Sequence, residues 1–182
     1  MAHRALVAYR DGDSYHLHYA HRDDGVADRI TAATPLGGRS AQAGARSHEG
    51  LADRFGLDPA SGYDCHTRVD PRPLARHVSP DRVLAAIDPS VESLVVVDTD
   101  YECRTYAVCP LGIDGGKPLV LVGPTDDATS IRRTLVDQKE RLGRAVDAGD
   151  LDAATARQVL RRTLARRAPL RERDDASFLP TD

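Results

Sequence analysis

Two histidines and two aspartates are the residues whose types and spacing are best suited to chemistry. His16 and His18 are two apart in an extended segment, so on a strand both imidazoles point to the same face. Asp98 and Asp100 follow an apolar run directly, a place where carboxylates often hold a cation or act as nucleophiles. Because imidazoles and carboxylates are ordinary ligands of Zn²⁺ and related ions, these four residues are the predicted divalent-metal site. The preferred interpretation is nevertheless partly buried or surface histidines beside an acidic turn, so no cofactor is predicted and a divalent metal is the alternative.

A second candidate site is a run of arginines near the C-terminus. Residues 153–173 hold seven Arg against one Glu. Four of these arginines are predicted to form a basic ridge that contacts phosphate or a partner: Arg157, Arg161, Arg162 and Arg166. Aromatic residues between the arginines, which would stack on nucleic-acid bases, are missing. The competing interpretation is a solvated face, or pairing with acidic residues of the preceding helix.

A sheet is predicted to position the first of these sites. Leu94–Val97 and Leu119–Val122 are short apolar runs rich in β-branched residues, which indicates strands near 93–98 and 118–123. A third strand is predicted near 103–109. Neither apolar run alternates with polar residues, so both faces of these strands are expected to be covered.

An N-terminal hairpin is predicted to extend this sheet. Its strands would be Arg4–Arg10 and Ser14–His21, joined at Asp11-Gly12, which is a strong local turn signal. With that turn Leu6 would face Leu17 on one apolar side, and the two histidines would lie on the other side. A slip of one residue would exchange the two faces.

Helices are predicted around the sheet, and two of them form a C-terminal helical hairpin. Residues 126–148 carry apolar residues at helical spacing and end at Gly149. Asp150 is predicted to cap the second helix, which runs from 151 to about 167 and ends before Pro169. Two shorter helices are expected, at 48–55 and after Ser79.

These elements predict an α+β fold with a mostly antiparallel central sheet covered by helices. Residues 1–124 would form the core domain, and residues 125–168 a helical hairpin packed on or beside it. Residues 169–182 are predicted to be a loose polar tail.

Composition limits the class of protein. The chain has 182 residues, of which 41% are hydrophobic, so it can bury a core without disulfides. Its three cysteines are odd in number and widely spaced, which favours free thiols. No window approaches the roughly 20 consecutive apolar residues of a membrane span. The N-terminus meets charge too early for a signal peptide, so a cytoplasmic location is predicted.

One resemblance covers mainly the first 40 residues. The opening His3-Arg4-Ala5-Leu6-Val7-Ala8-Tyr9, then Leu17-His18-Tyr19-Ala20-His21 and the segment 30–38 (Ile-Thr-Ala-Ala-Thr-Pro-Leu-Gly-Gly), resembles a family of uncharacterised haloarchaeal proteins, a domain of unknown function. The resemblance implies a salt-loving, cytoplasmic setting. It implies no activity, because none is established for that family.

Three functional hypotheses follow. The first is a non-enzymatic binding or regulatory module, whose helical hairpin docks a protein partner or a second copy. The second is a metal-dependent hydrolase that uses His16, His18 and the Asp98–Asp100 pair. The third is a nucleic-acid-associated protein that uses the arginine ridge. The first is preferred, because an active site needs several convergent polar groups that the sequence does not assemble.

Overall fold

A seven-stranded sheet is the central element of the computed structural model, which describes residues 4–21, 25–38, 68–113 and 118–180. Its strands are β1 (Arg4–Asp11), β2 (Ser14–His21), β3 (Ala75–Val78), β4 (Ser93–Val97), β5 (Cys103–Pro110), β6 (Leu119–Val122) and β7 (Leu170–Glu172). Their order across the sheet is β3-β2-β1-β4-β5-β6-β7. β1 and β4 run parallel, whereas the other neighbouring pairs are antiparallel. The predicted α+β fold with a mostly antiparallel sheet is confirmed.

The apolar runs that predicted buried strands are covered on both faces. Every residue of β4 and β6 is buried. Leu94 and Val96 join a core cluster on one side, here called face A. Val95 and Val97 join a separate cluster on the other side, here called face B. This arrangement explains why neither run alternates with polar residues.

The N-terminal hairpin forms with the predicted faces but with a different register. Asp11 pairs with Ser14, so the two turn residues are Gly12 and Asp13 rather than Asp11 and Gly12. Gly12 has a φ of 58°, which suits the first central position of a tight hairpin turn. The predicted pairing of Leu6 is therefore wrong by two residues. A shift of two preserves the alternation of side chains, so the faces are unchanged.

Face A is covered by helix α1 (Pro80–Ala85) and by the end of the chain. Val83 and Leu84 of α1 are buried against this face. Ser79 occupies the N-cap position of α1, although its side chain makes no capping hydrogen bond.

Residues 170–180 contribute a strand and a 3₁₀ turn to the fold, where the sequence analysis predicts a loose polar tail. Strand β7 pairs with β6, and a 3₁₀ turn at Ala176–Phe178 packs on face A. Leu179 is 2% exposed, and the Tyr15 hydroxyl donates a hydrogen bond to the Pro180 carbonyl at 2.6 Å. The sequence did not predict this because β7 has only three residues and few apolar ones.

The helical hairpin covers the β5–β6 part of face B. It consists of α2 (Ala128–Asp147) and α3 (Ala153–Ala165), as predicted. The residues that pack it onto the sheet form one cluster, which includes Ile131, Leu135, Leu160, Leu164, Ala107, Cys109, Val120 and Val122. The hairpin thus contacts the sheet directly, while the domain boundary at residue 125 stays a prediction.

The N-cap of α3 is Asp152 rather than the predicted Asp150. The Asp152 carboxylate accepts a hydrogen bond from the Thr155 N–H at 2.9 Å, which satisfies one free donor of the helix. Asp150 lies in the interhelical turn, where its N–H donates to the Ala145 carbonyl. Two acidic residues two positions apart were both plausible caps, and the length of the turn selects the second.

The β1–β2 part of face B is covered by residues 25–38. Val26, Ile30 and Leu36 are buried there against the sheet. The Tyr9 hydroxyl donates to the Pro35 carbonyl at 2.6 Å, which ties this segment to β1. The short helix predicted at 48–55 lies outside the described residues.

Candidate metal centre

Asp11 and His16 approach each other at the closed end of the β1–β2 hairpin. Asp11 is the last residue of β1, and His16 follows two residues after its partner Ser14. Both side chains project from face B, because Asp11 is two residues after Tyr9 and Tyr9 pairs with His16. Asp11 Oδ2 lies 2.9 Å from His16 Nε2.

A third residue, His77, reaches the same place from the edge strand β3. Its Nδ1 lies 3.6 Å from Asp11 Oδ2, and its ring centroid is 4.6 Å from that of His16. The pairing of β3 with β2 is irregular between Tyr15 and Leu17, and His77 has a φ of 49°. The irregular pairing and the left-handed backbone of His77 direct its side chain toward Asp11 and His16, as β-bulges often do near functional sites.

The three side chains form a group with one buried and one open side. Their possible ligand atoms all lie within 4.8 Å of one another, and within the described ranges no other such group of three His, Cys, Asp or Glu residues occurs. The His16 side chain is 6% exposed, that of Asp11 41% and that of His77 69%. An ion held here would therefore be anchored on the sheet by His16 and reachable from solvent beside His77.

His18 shares a face with His16 but has a different role. Its Nδ1–H donates to the Asp70 carbonyl at 2.8 Å, and its ring meets Tyr9 edge to face at 5.3 Å. The ring is fully buried, and its Nε2 has no hydrogen-bond partner among the described atoms. Burial lowers the pKa of His18 to about 4, so its imidazole is neutral at pH 7.

Asp98 lies on face A, away from the histidines. Its Oδ1 accepts a hydrogen bond from Arg10 at 3.1 Å, and Arg104 approaches Oδ2 at 4.0 Å. Partial burial acts to raise the pKa of Asp98, but the Thr99 N–H and Arg10 outweigh it and hold the pKa below its usual value. Asp98 is thus the ion-pair partner of Arg10 on face A.

The predicted set of His16, His18, Asp98 and Asp100 is not brought together. Asp100 is exposed in the turn after β4, where its carboxylate accepts from the Glu102 N–H at 3.1 Å. The physical reason is the alternation of strands, which sends the histidines and Asp98 to opposite faces. Of the four predicted residues, only His16 belongs to the Asp11–His16–His77 group.

Sequence reasoning missed Asp11 and His77. Asp11 was assigned to the turn, and only the observed register returns its side chain to the strand beside His16. His77 comes from β3, a four-residue strand with no clear alternation. The nearest signal in the sequence was the charged hairpin end itself, with Asp11 five residues before His16.

The predicted arginine ridge is divided. Arg161 pairs with Glu172 of β7, whereas Arg157, Arg162 and Arg166 are exposed and make no ion pair within the part of the chain that the structure describes. At about 100° per helical residue, Arg157 and Arg162 point roughly 140° apart. The arginines therefore lie along two sides of α3.

A cleft of about 320 Å³ lies between residues 25–28 and the start of α2, with Cys103 in its wall. Burial raises the pKa of the Cys103 thiol to about 11, and a second cysteine, Cys109, has a pKa raised to about 12 for the same reason. Both stay protonated near neutral pH, so neither is an activated nucleophile. The third cysteine, Cys65, lies outside the described residues.

The fold and the site define an α+β domain with an Asp-His-His group at the edge of its sheet. The chain belongs to a family of unknown function (DUF6735), whose model matches residues 1–173. No curated protein and no solved structure matched the chain. Among the described helices, none has the length and apolar character to cross a membrane. The haloarchaeal and cytoplasmic setting stays a prediction.

Proposed function

We propose that this protein is a metal-binding module that holds one divalent transition-metal ion through Asp11, His16 and His77. The observation that supports the proposal is the position of Asp11 Oδ2, 2.9 Å from His16 Nε2 and 3.6 Å from His77 Nδ1. No catalytic residue is assigned. The metal site predicted from the sequence is thus proposed again, but with Asp11 and His77 in place of His18, Asp98 and Asp100.

The spacing of these atoms suits a small ion. Zn²⁺ binds imidazole nitrogen and carboxylate oxygen at about 2.0–2.2 Å, so two ligands of a tetrahedral site lie roughly 3.3 Å apart. The two distances from Asp11 lie on either side of that value. Small side-chain rotations would centre an ion without moving the backbone, because His77 and Asp11 are the more exposed ligands.

The donor set favours Zn²⁺ or Fe²⁺ over Mg²⁺ and Ca²⁺. Two imidazoles and one carboxylate are typical of zinc and non-haem iron sites, whereas Mg²⁺ and Ca²⁺ prefer an all-oxygen shell. Three protein ligands leave at least one position for water or a small ligand. Since that position would face solvent beside His77, the bound ion should exchange with the solution.

Calorimetry of the untagged full chain with Zn²⁺ tests the proposal. We expect one ion per chain, and we expect Asp11→Asn or His77→Ala to weaken binding by more than about tenfold, or 1.4 kcal/mol. Asp13→Asn is the matched control, because Asp13 is exposed in the same turn and is not a member of the group. Absence of binding, or equal binding by all three variants, would overturn the proposal.

A second candidate function is protein docking on the helical hairpin. Val136 of α2 is 59% exposed and Val159 of α3 is 37% exposed. Arg162 of α3 and Arg166, which directly follows the helix, are exposed and form no ion pair with the described residues. Such a surface favours an acidic protein partner or a second copy, and nucleic acid is the alternative occupant.

Light scattering and nucleic-acid binding across a salt series separate these occupants. A dimer dispersed by Val159→Glu would support self-association. Nucleic-acid binding that weakens in an Arg162→Ala/Arg166→Ala variant would support the nucleic-acid alternative. A monomer with no affinity for nucleic acid would leave the acidic partner as the remaining form of this proposal.

A further inference from the structure

Strand β3 is weakly attached to the sheet. Among the described residues it is an edge strand, and its register with β2 is limited to Tyr15–Val78 and Leu17–Ala75, with an irregularity between them. All four of its residues are exposed or partly exposed. A short and solvent-facing edge strand belongs to the part of a fold that opens at low free energy.

The Asp-His-His group spans the junction that β3 makes with the hairpin. Asp11 and His16 belong to β1 and β2, which pair over their full length. His77 alone comes from β3, and it adopts a left-handed φ of 49° that non-glycine residues rarely keep without compensating contacts. Its contacts at this junction are with Asp11 and His16.

We propose, resting on the metal-binding function above, that the ion fastens β3 to the hairpin and that ion availability controls the opening of this edge. An open β3 removes His77 and leaves only two ligands, so the ion binds the closed form more tightly. By linkage, the ion favours closing by a factor of at most 1 + [ion]/Kd, about 100-fold at a free ion concentration of 100 times Kd, and any binding to the two ligands of the open form lowers this factor. When β3 opens, β2 presents unpaired backbone groups at the sheet edge.

Hydrogen exchange of the full chain, with Zn²⁺ and with a chelator, tests this inference. The informative amides include that of Leu74, which donates to the Leu17 carbonyl at 2.7 Å, and those of β3 itself. We expect Zn²⁺ to slow their exchange by up to about 100-fold under the stated conditions. Exchange in α2 and α3, which are remote in the fold from this edge, should not change.

His77→Asn is the matched variant. Asparagine tolerates a left-handed backbone, so it preserves the local conformation while removing the imidazole ligand. Its β3 exchange should be the same with Zn²⁺ and with chelator.

The two proposals fail in different ways. If calorimetry shows Zn²⁺ binding that depends on Asp11 and His16, but β3 exchange is unchanged by the ion, the fastening of β3 is overturned and the metal site stands. If calorimetry shows no binding, both proposals are overturned. A uniform slowing across the whole chain, including α2 and α3, would show general stabilisation and would also overturn the fastening.

Discussion

Asp11 ends β1 and Asp98 directly follows the parallel strand β4, yet their carboxylates lie on opposite faces of the sheet. Asp11 meets His16 on face B, whereas Asp98 meets Arg10 on face A. One end of the sheet therefore carries two separate polar clusters. They are separated because Arg10 and Asp11 are consecutive residues of one strand, whose side chains alternate.

The ion pair on face A should be measurable. The Arg10 side chain is 10% exposed and that of Asp98 18%, so Asp98→Asn should lower the free energy of unfolding by about 1–3 kcal/mol. Asp100→Asn is the control, because Asp100 is exposed, and its effect should stay within about 0.5 kcal/mol. Urea unfolding at pH 7 measures both. Equal effects of the two substitutions would contradict the assignment.

The same pair predicts a pH window. The folded-state pKa of Asp98 is lowered from 3.8, so its contribution is present above that value and is lost as pH falls through the lower folded pKa. The difference between wild type and Asp98→Asn should therefore narrow below about pH 3.8. A difference in unfolding free energy between wild type and Asp98→Asn that stays constant down to pH 3 would contradict this prediction.

His18 should make the protein less stable in mild acid. Its pKa is about 4 when folded and 6.5 when exposed, so between these values the unfolded chain binds more protons. The contribution of His18 to the free energy of unfolding is complete above pH 6.5 and falls by about 3 kcal/mol as the pH approaches 4. His18→Gln, which keeps a donor for the Asp70 carbonyl, should flatten this dependence. An unchanged slope of unfolding free energy against pH would refute the role of His18.

Two glycines should respond to alanine in opposite directions. A methyl group at Gly123 would lie 2.7 Å from the Thr105 carbonyl oxygen, so Gly123→Ala should destabilise by about 1–3 kcal/mol. At Gly143, inside α2, the nearest atom would be Ile113 Cγ2 at 3.6 Å, an ordinary contact. Gly143→Ala should therefore stabilise by about 0.5–1 kcal/mol through helix propensity. Thermal unfolding should show a lower midpoint temperature for Gly123→Ala and a higher one for Gly143→Ala than for the wild type.

The end of the chain should contribute to stability. Leu179 is 2% exposed, and Leu179→Ala should lower the free energy of unfolding by about 2–5 kcal/mol. Leu74→Ala is the matched control at 59% exposure, with an expected change below about 0.5 kcal/mol. If chemical denaturation gives the same small change for both, the packing of this segment on face A is contradicted.

The sequence predicted the parts of the fold that depend on local pattern. The apolar runs at 94–97 and 119–122 indicated strands, and helical spacing indicated α2 and α3. The faces of the hairpin were also predicted, because they depend only on alternation. Such features need no knowledge of distant contacts.

The site depended on distant contacts and was predicted only in part. His16 was predicted because it lies two residues from His18 in an extended segment, which places both imidazoles on one face of a strand. Asp11 required the register of the turn, and His77 required an irregular pairing with β2 across about 60 residues of chain. Neither fact is encoded in a local pattern, so the predicted set shares one residue, His16, with the Asp11–His16–His77 group.

The parallel contact of β1 with β4 has a consequence for how the protein is made. Arg10 and Asp98 are separated by 88 positions, whereas β4, β5 and β6 follow one another along the chain. Because β1 precedes β4 by nearly half of the 182-residue sequence, the edge of β1 that pairs with β4 stays unpaired until β4 is synthesised. The free edge of β2 can pair earlier, since β3 is synthesised before β4. The interval between the synthesis of β2 and that of β4 is thus the period in which this edge of β1 has no strand partner in the nascent chain.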